Sequence, residues 1–585
     1  MEMSCLSGLT YRAIARGIAG LFLAGGILAG GPEAGAQTDS SQIRRAFAIL
    51  AERGEVVFEF YPEDAGILKR VNQFASVDRK TENGFEVYAN LKGFRSFLGL
   101  NLPFTLIELA PGLKSTGAIQ AFPGEWDVYP THNQYFNFME EMAQKFPGIC
   151  RLDTIGRSVM GRPILVMKIT DHPDARESEP AFVYSSTMHG NELTGYVLML
   201  RLIEHLLSMY GTDDLVTRLV DRIEIWINPL ANPDGTYWQG DEVLSNPKRF
   251  NANNADLNRN FPGIMDATHP DSMQYQPENL AQMDFLGDIY MVMGANIHGG
   301  EEVVNYPFDT WASLHADDQW YRTVSRAYAE LAQARSFPVL YMSGFDGGIT
   351  NGWEWYQVEG SRQDWVNWFN HAREVTIEIS RDKIPPPVDL PFYWHYNHPS
   401  LLHYMEACLF GIHGVVRDAV TGEFLKAGVW VKGHDGLNSG VFSDPLTGFF
   451  ARPIEPGTYD LKISASGYEP SIIEVQVEDG DTAWVEVRLF PMETGTGKLS
   501  RDRTTYPPFI DGQMLHLNIL SAGSCRIDLY DLKGSLVMSD QRFFASKGWK
   551  SIHLGNARIG QGMYLLKIRT PYGLQTHRIF QSEWK

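Results

Sequence analysis

Ala181-Phe182-Val183-Tyr184 is an apolar run, Met188-His189-Gly190-Asn191-Glu192 follows it closely, and Leu193 to Met209 then shows helical periodicity. A strand that delivers a loop and then a helix is the repeating unit of an α/β sheet. The loop carries an imidazole at His189 and a carboxylate at Glu192, two ligand types that catalytic zinc accepts. The pair alone is common in long chains. Its meaning depends on whether the rest of the sequence supplies a third ligand, a base and a substrate clamp.

The same texture extends on both sides. Thr131 opens a helical run through Phe136, Met139, Met142 and Phe146, which Pro147-Gly148 ends. Gly161-Arg162 reads as a hairpin turn before a strand at Ile164 to Ile169. A strand at Ile223 to Ile227 leads to Asn228-Pro229 and to the turn Asn232-Pro233-Asp234-Gly235. Short strands between longer helices predict one large α/β domain with a mostly parallel or mixed sheet over residues 121–408. Upstream, residues 37–120 hold a helix at Ile43 to Ala51 and strands at Glu55 to Phe60 and Gly84 to Tyr88. They read as a small α+β domain or as a pro-segment, and no motif chooses between the two. Downstream the helices stop. Residues 409–491 read as a small β-sandwich that opens at Gly411 to Asp418 and closes at Val485 to Leu489. Residues 492–504 read as a polar linker. Residues 505–585 read as a second all-β module, with strands at Cys525 to Leu532 and Gly562 to Ile568.

At 585 residues the chain is long enough for several cores. Its formal charge is −20, and the first 36 residues contribute nothing to it, because Arg12 and Arg16 cancel Glu2 and Glu33. Such an acidic chain argues against a nucleic-acid partner and favours cationic peptides through long-range attraction. Arg12 and Arg16 precede an Ala/Gly/Leu-rich segment, Ile18 to Gly30, and Ala34-Gly35-Ala36 fits a small-x-small cleavage site. Residues 1–36 therefore read as a secretory leader that leaves Gln37 as the new terminus. Beyond the leader, Cys150, Cys408 and Cys525 lie far apart, which is neither a disulfide framework nor a Cys-zinc pattern.

His298, in Ala295-Asn296-Ile297-His298-Gly299-Gly300, is the candidate third ligand. With His189 and Glu192 it makes a two-His, one-carboxylate set that leaves a fourth position open for water. Glu378, in Val375-Thr376-Ile377-Glu378-Ile379, is the candidate base, because a carboxylate inside a β-branched run is costly unless it faces a cleft. Its competitor Glu374 lies outside the apolar run and is expected to face solvent. Asp256-Leu257-Asn258-Arg259-Asn260-Phe261-Pro262 offers a clamp: the planar fork of Arg259 matches a carboxylate, and Asn258 adds amide donors. Arg249 is placed to donate to a developing oxyanion.

Together these segments resemble the zinc carboxypeptidases, in particular the regulatory branch that includes carboxypeptidases D, E and N. The matching pieces are H-G-N-E at His189 to Glu192, N-P-D-G at Asn232 to Gly235, D-L-N-R-N-F-P at Asp256 to Pro262, H-G-G at His298 to Gly300, N-Y-P-F-D at Asn305 to Asp309 and T-I-E-I at Thr376 to Ile379. They occur in family order. The resemblance implies one Zn²⁺ held by His189, Glu192 and His298, with Glu378 as general acid/base. It also implies Asn258 and Arg259 on the substrate's terminal carboxylate and Arg249 on the scissile carbonyl. Asp309 stands where this branch often pairs an Asp with a basic side chain, which implies C-terminal Lys or Arg. The β-sandwich resembles the transthyretin-like module of the same branch. The resemblance also leads us to expect a mobile lid Tyr three residues after an Asp, where this chain has Asn367.

The tail segments I-D-L-Y-D-L-K-G at Ile527 to Gly534 and G-M-Y-L-L-K-I at Gly562 to Ile568 resemble the sorting domain of the Bacteroidetes type IX secretion system. They imply that machinery as a partner, and passage through the periplasm to the cell surface or medium of a Gram-negative bacterium. The expectation is thus a secreted zinc metallocarboxypeptidase acting on peptide C-termini. A zinc amidohydrolase of cell-wall peptides and a non-catalytic surface-binding protein are its rivals.

Overall fold

The computed structural model of the protein describes residues 40–108, 125–265, 273–492 and, apart from short connecting turns, 509–581. The leader at 1–36 and nearly all of the linker at 492–504 lie outside the described residues.

The first module is an antiparallel sheet of β1 (Val56–Phe60), β2 (Ser76–Thr81), β3 (Gly84–Ala89) and β4 (Thr105–Ile107), in the order β2-β3-β1-β4, with three helices. Alternation along β1 sends Phe58 and Phe60 into a core with Phe94, Phe97 and Phe104. Its other face, Val57 with Tyr88 opposite, packs on Phe250 of the next domain.

That next domain is built on an eight-stranded mixed sheet. In chain order its strands are β5 (Cys150–Arg157), β6 (Pro163–Ile169), β7 (Ala181–Ser186), β8 (Glu224–Asn228), β9 (Met291–His298), β10 (Glu302–Tyr306), β11 (Ile349–Asn351) and β12 (Arg373–Ile379). Their spatial order is β11-β10-β12-β9-β7-β8-β6-β5. The four central strands β12, β9, β7 and β8 run parallel. Helices cover both faces, which explains why the central strands read as nearly continuous apolar runs. On β7, Phe182 and Tyr184 pack with helices Thr194–Met209 and Leu390–Glu406, while Ala181 and Val183 pack with Leu286 and Trp365 on the other face. The helix expected from Thr131 spans His132–Lys145, with Thr131 as N-cap in a capping box with Gln134. The fold class expected from sequence, α/β with a mixed sheet, is the one observed.

From Gly411 to Leu489 two small sheets face each other over a core that includes Ile412, Val429, Leu461, Ile463 and Val487. From Phe509 to Gln581 a second pair of sheets encloses Leu515, Ile527, Leu566 and Ile568. Cys150, Cys408 and Cys525 are buried free thiols.

The first sandwich is tied to the α/β domain by a buried ionic cluster. Asp317 accepts from Arg373 of β12 at 2.9 Å and from both Nη atoms of Arg452 at 2.8 Å. Arg452 also pairs with Asp435, and His434 approaches Asp317 at 2.7 Å. Burial works to raise the Asp317 pKa, but Arg452 and Arg373 hold it well below the usual carboxylate range. A downward shift means that the stabilisation is complete above the unfolded-state pKa and is lost only as pH falls through the lower folded value. Asp317→Ala would leave two buried guanidiniums short of a partner. It is expected to destabilise the protein by about 3–5 kcal/mol, read from the urea midpoint. A change below about 1 kcal/mol would show that the cluster does not hold the two domains together.

Candidate active site

The site lies outside the carboxyl ends of the parallel strands, where open α/β sheets place their ligands. β7 ends two residues before Met188. Thr187 between them adopts φ +60°, a left-handed conformation that is costly for a β-branched residue. The turn beyond β8 braces this loop: Asn232 Nδ2 donates to the carbonyls of Met188 (3.1 Å) and Arg249 (3.2 Å). Gly190 is required there, since a Cβ would come within 2.5 Å of the Thr236 backbone nitrogen.

His189, Glu192 and His298 converge, with one ligand atom from each lying within 4.8 Å of the others. His189 Nδ1 is 2.9 Å from Glu192 Oε1, His298 Nδ1 is 2.8 Å from Oε2, and the two Nδ1 atoms are 3.1 Å apart. The outer nitrogens face fixed partners. His189 Nε2 is 3.2 Å from Asp256 Oδ1, and His298 Nε2 is 2.7 Å from the Asn296 amide. Asn296 Oδ1 is otherwise unpartnered, so rotating that amide gives Nε2–H its acceptor. Both rings then carry their protons outward and aim their Nδ1 lone pairs at the carboxylate. Burial pushes the His298 pKa down to about 4, which keeps that ring neutral. Glu192 is held well below the usual range: burial opposes this, but His189 and the Lys383 ammonium, 3.0 Å from Oε1, outweigh it. Three electron-pair donors facing one another repel unless a cation sits among them, and this donor set fits Zn²⁺.

His189, Glu192, Arg249, Asn258, Arg259, His298, Asp309 and Glu378 all line one cavity of about 40 Å³. Glu378 lies beside His298 in the β12–β9 register. Its Oε2 is buried without a hydrogen-bond partner. Burial, then the Glu192 charge, pushes its pKa well above the usual range. Arg249 is buried, with Nε on Asp256 at 3.0 Å. Asn258 accepts the Arg362 amide N–H on Oδ1 at 2.9 Å, which leaves its NH₂ as the available donor. Arg259 donates from Nη1 to its neighbour's carbonyl at 3.0 Å. Asp309 is nearly buried, accepting from Asn305 and Gln363, both at 3.0 Å. Its backbone N–H is fixed by Asp364 at 2.8 Å.

Residues 135–400 match the zinc carboxypeptidase family model, and residues 411–490 match the carboxypeptidase regulatory-like domain. Carboxypeptidase E of Caenorhabditis elegans is 32% identical over 409 residues, covering 62% of this chain and 86% of the relative. Carboxypeptidase M of Mus musculus is 33% identical over 354 residues, covering 58% and 79%. The chain belongs to the zinc carboxypeptidase family. Carboxypeptidase D of Homo sapiens is 37% identical over 380 residues, but the match spans only 27% of that longer relative and 62% of this chain. The solved carboxypeptidase A of Helicoverpa armigera has a TM-score of 0.46 at 17% identity, covering 60% of this chain and 98% of that one.

Two expectations need correction within this site. Glu374 does not face solvent. β12 already begins at Arg373, so Glu374, Thr376 and Glu378 share one face, and Glu374 is buried against the fork of Arg362 at 2.9–3.1 Å. Asn367 takes no part in a lid. It is fully buried and bonded to Tyr321 and to the carbonyls of Gln363 and Glu374. The tyrosine that lines the cavity is Tyr356, and counting from an Asp could not find it. Asp256 and Asn296 were also missed. The alternation of Asn296 with His298 along one strand was the available signal.

The arrangement predicts that Asn296→Leu, which removes the partner of His298 Nε2, weakens zinc binding by roughly 10–100-fold. Competition against a chromogenic chelator reads this directly. Unchanged affinity would rule out the proton placement given above.

Proposed function

We propose that the protein is an exported metallocarboxypeptidase that removes one C-terminal Lys or Arg from peptides. The observation that carries the reading is an amide and a guanidinium, Asn258 and Arg259, lining the same small cavity as the His189/Glu192/His298 donor set and the unpartnered oxygen of Glu378. Those three residues would hold Zn²⁺, which would supply a Lewis acid for the scissile carbonyl and lower the pKa of a water to roughly 7.

The chain's own groups do the rest. Arg259 and Asn258 hold the terminal carboxylate, which restricts cleavage to the last peptide bond. Arg249, fixed by Asp256, donates to the oxygen on which negative charge develops. Glu378 takes the proton of the attacking water and returns it to the departing amine nitrogen, with its unpartnered Oε2 as the oxygen free to carry that proton. Asp309 receives the cationic end of the departing side chain, with Asn305 and Gln363 orienting its carboxylate. The tail strands Gly523–Asp531 and Gly562–Thr570, which pair antiparallel, carry the segments that support type IX export to the cell surface or medium.

Glu378→Gln is expected to retain zinc and lose turnover by at least about 10²-fold; activity within a few-fold of the parent would remove Glu378 from the proton-transfer role. A peptide panel that differs only in its last residue, followed by mass spectrometry, is expected to show single-residue loss with Lys or Arg preferred. Asp309→Ala is expected to erase that preference. Internal cleavage would refute the exopeptidase reading, and hydrolysis confined to cell-wall peptides would favour the amidohydrolase.

A further inference from the structure

Along β10 the residues that face the crevice continue past the level of Glu378 to the mouth. Asn305 lies opposite Thr376 of β12, and Val303 lies opposite Glu378. Paired residues share a face, and alternation puts residue 301 on that face as well. Glu301 and Asn305 both line the catalytic cavity. At about 3.3 Å per residue they stand roughly 7 Å to either side of the level of Glu378. The turn that delivers Glu301 follows directly on His298. Gly300 adopts φ +131° there and donates its N–H to the Ser380 carbonyl at 2.8 Å, so the chain crosses the end of β12 before it enters β10. Glu302, one residue on, takes the opposite face and pairs with Arg381 at 3.4 Å.

The cations around this rim already have carboxylates. Arg79 lies on Glu86 at 2.9 Å, Arg381 on Glu302, and Lys383 Nζ is shared by Asp78 (2.9 Å) and Glu192 (3.0 Å). Glu301 is half-buried and forms no ion pair among the described residues. Burial pushes its pKa up, against the attraction of Arg381 and Arg79. Its charge is close to the reacting centre: after burial, Glu192 and Asp78, it adds to the upward push on Glu378. A carboxylate partly stripped of water and left without a cation gains from a charged partner that a ligand brings.

Substrate chemistry decides which part of the ligand that is. Asn258, Arg259 and Asp309 take the departing residue, and Asn305 holds Asp309 at 3.0 Å. The carbonyl under attack belongs to the penultimate residue. That residue's Cα is bonded to the reacting carbon and lies on the side away from the departing one, so its side chain runs from the level of Glu378 toward the mouth. We infer that Glu301 is a second specificity residue, which pairs with a Lys or Arg side chain at the penultimate position, so that peptides with two consecutive basic residues at the C-terminus are favoured. Asp309 and Glu301 then flank the reacting centre, one for each side of the bond that breaks. The inference rests on the proposed peptidase reading and extends its selectivity by one residue.

The test uses the full chain and peptides of one length that all end in arginine and differ only in the penultimate residue: lysine, methionine or glutamate. The readout is kcat/KM for each peptide. The parent is expected to favour lysine over methionine by at least about fivefold, and methionine over glutamate. Glu301→Gln is expected to bring the lysine-to-methionine ratio near unity, and Glu301→Lys to place the glutamate peptide first. Glu302→Gln, on the opposite face, is expected to keep the parent's ratio. A parent without the lysine preference, or a ratio that Glu301→Gln and Glu301→Lys leave unchanged, would overturn the inference. A ratio that Glu302→Gln moves as far as Glu301→Gln would overturn it too. Failure of the parent to release arginine from any of the peptides would instead refute the peptidase reading beneath it.

Discussion

The parallel pairing of β7, β9 and β12 is the constraint on which the site depends. Because the three strands run the same way, the loop after β7, the last residue of β9 and the penultimate residue of β12 open on one crevice. His189, His298 and Glu378 are thereby brought together from positions far apart in the chain. The register matters as much as the direction. A slip of one residue on β12 would turn Glu378 into the apolar layer with Val375 and Ile377 and would expose an isoleucine to the cavity.

Around this crevice the energetics are those of buried charge. Asp256 serves both Arg249 and the outer nitrogen of His189, and Glu374 neutralises Arg362, whose backbone orients Asn258. Each buried ion has a partner because an unpaired one would cost several kcal/mol. The exceptions at the crevice are the self-repelling donor set, the bare oxygen of Glu378 and the unpartnered Nε of Arg259. Asp78 fits the same logic from outside. It brings an anion to Arg249 and Lys383, which is also what a peptide's free end would bring.

Much of this was legible in the chain. The strand–loop–helix at Ala181 to Met209, the turn at Asn232 to Gly235 and the capped helix after Thr131 all have local causes: apolar periodicity, a Pro-Asp-Gly turn and a Thr/Gln capping box. The residues singled out as ligands, base and clamp line one cavity because each sits at a strand end or turn that local pattern could mark. Glu374 and Asn367 were misread for the opposite reason. Their surroundings are set by distant groups, Arg362 for one and Tyr321 for the other. Tyr356 was missed because its place comes from the loop path after β11 and not from its spacing to any motif.

The sequence by itself determined the ligand chemistry, the alternation that makes a mixed sheet and the succession of modules, since these follow from residue type and short-range periodicity. Only the tertiary structure decided how residues 40–107 meet the α/β domain. Nothing in Ser76-Val77-Asp78-Arg79 announces a contact with Arg249. The contact arises from a β-bulge that frees Asp78 from its strand and from a docking that sets it against Arg249. Long-range charge pairing of that kind leaves no period in the sequence.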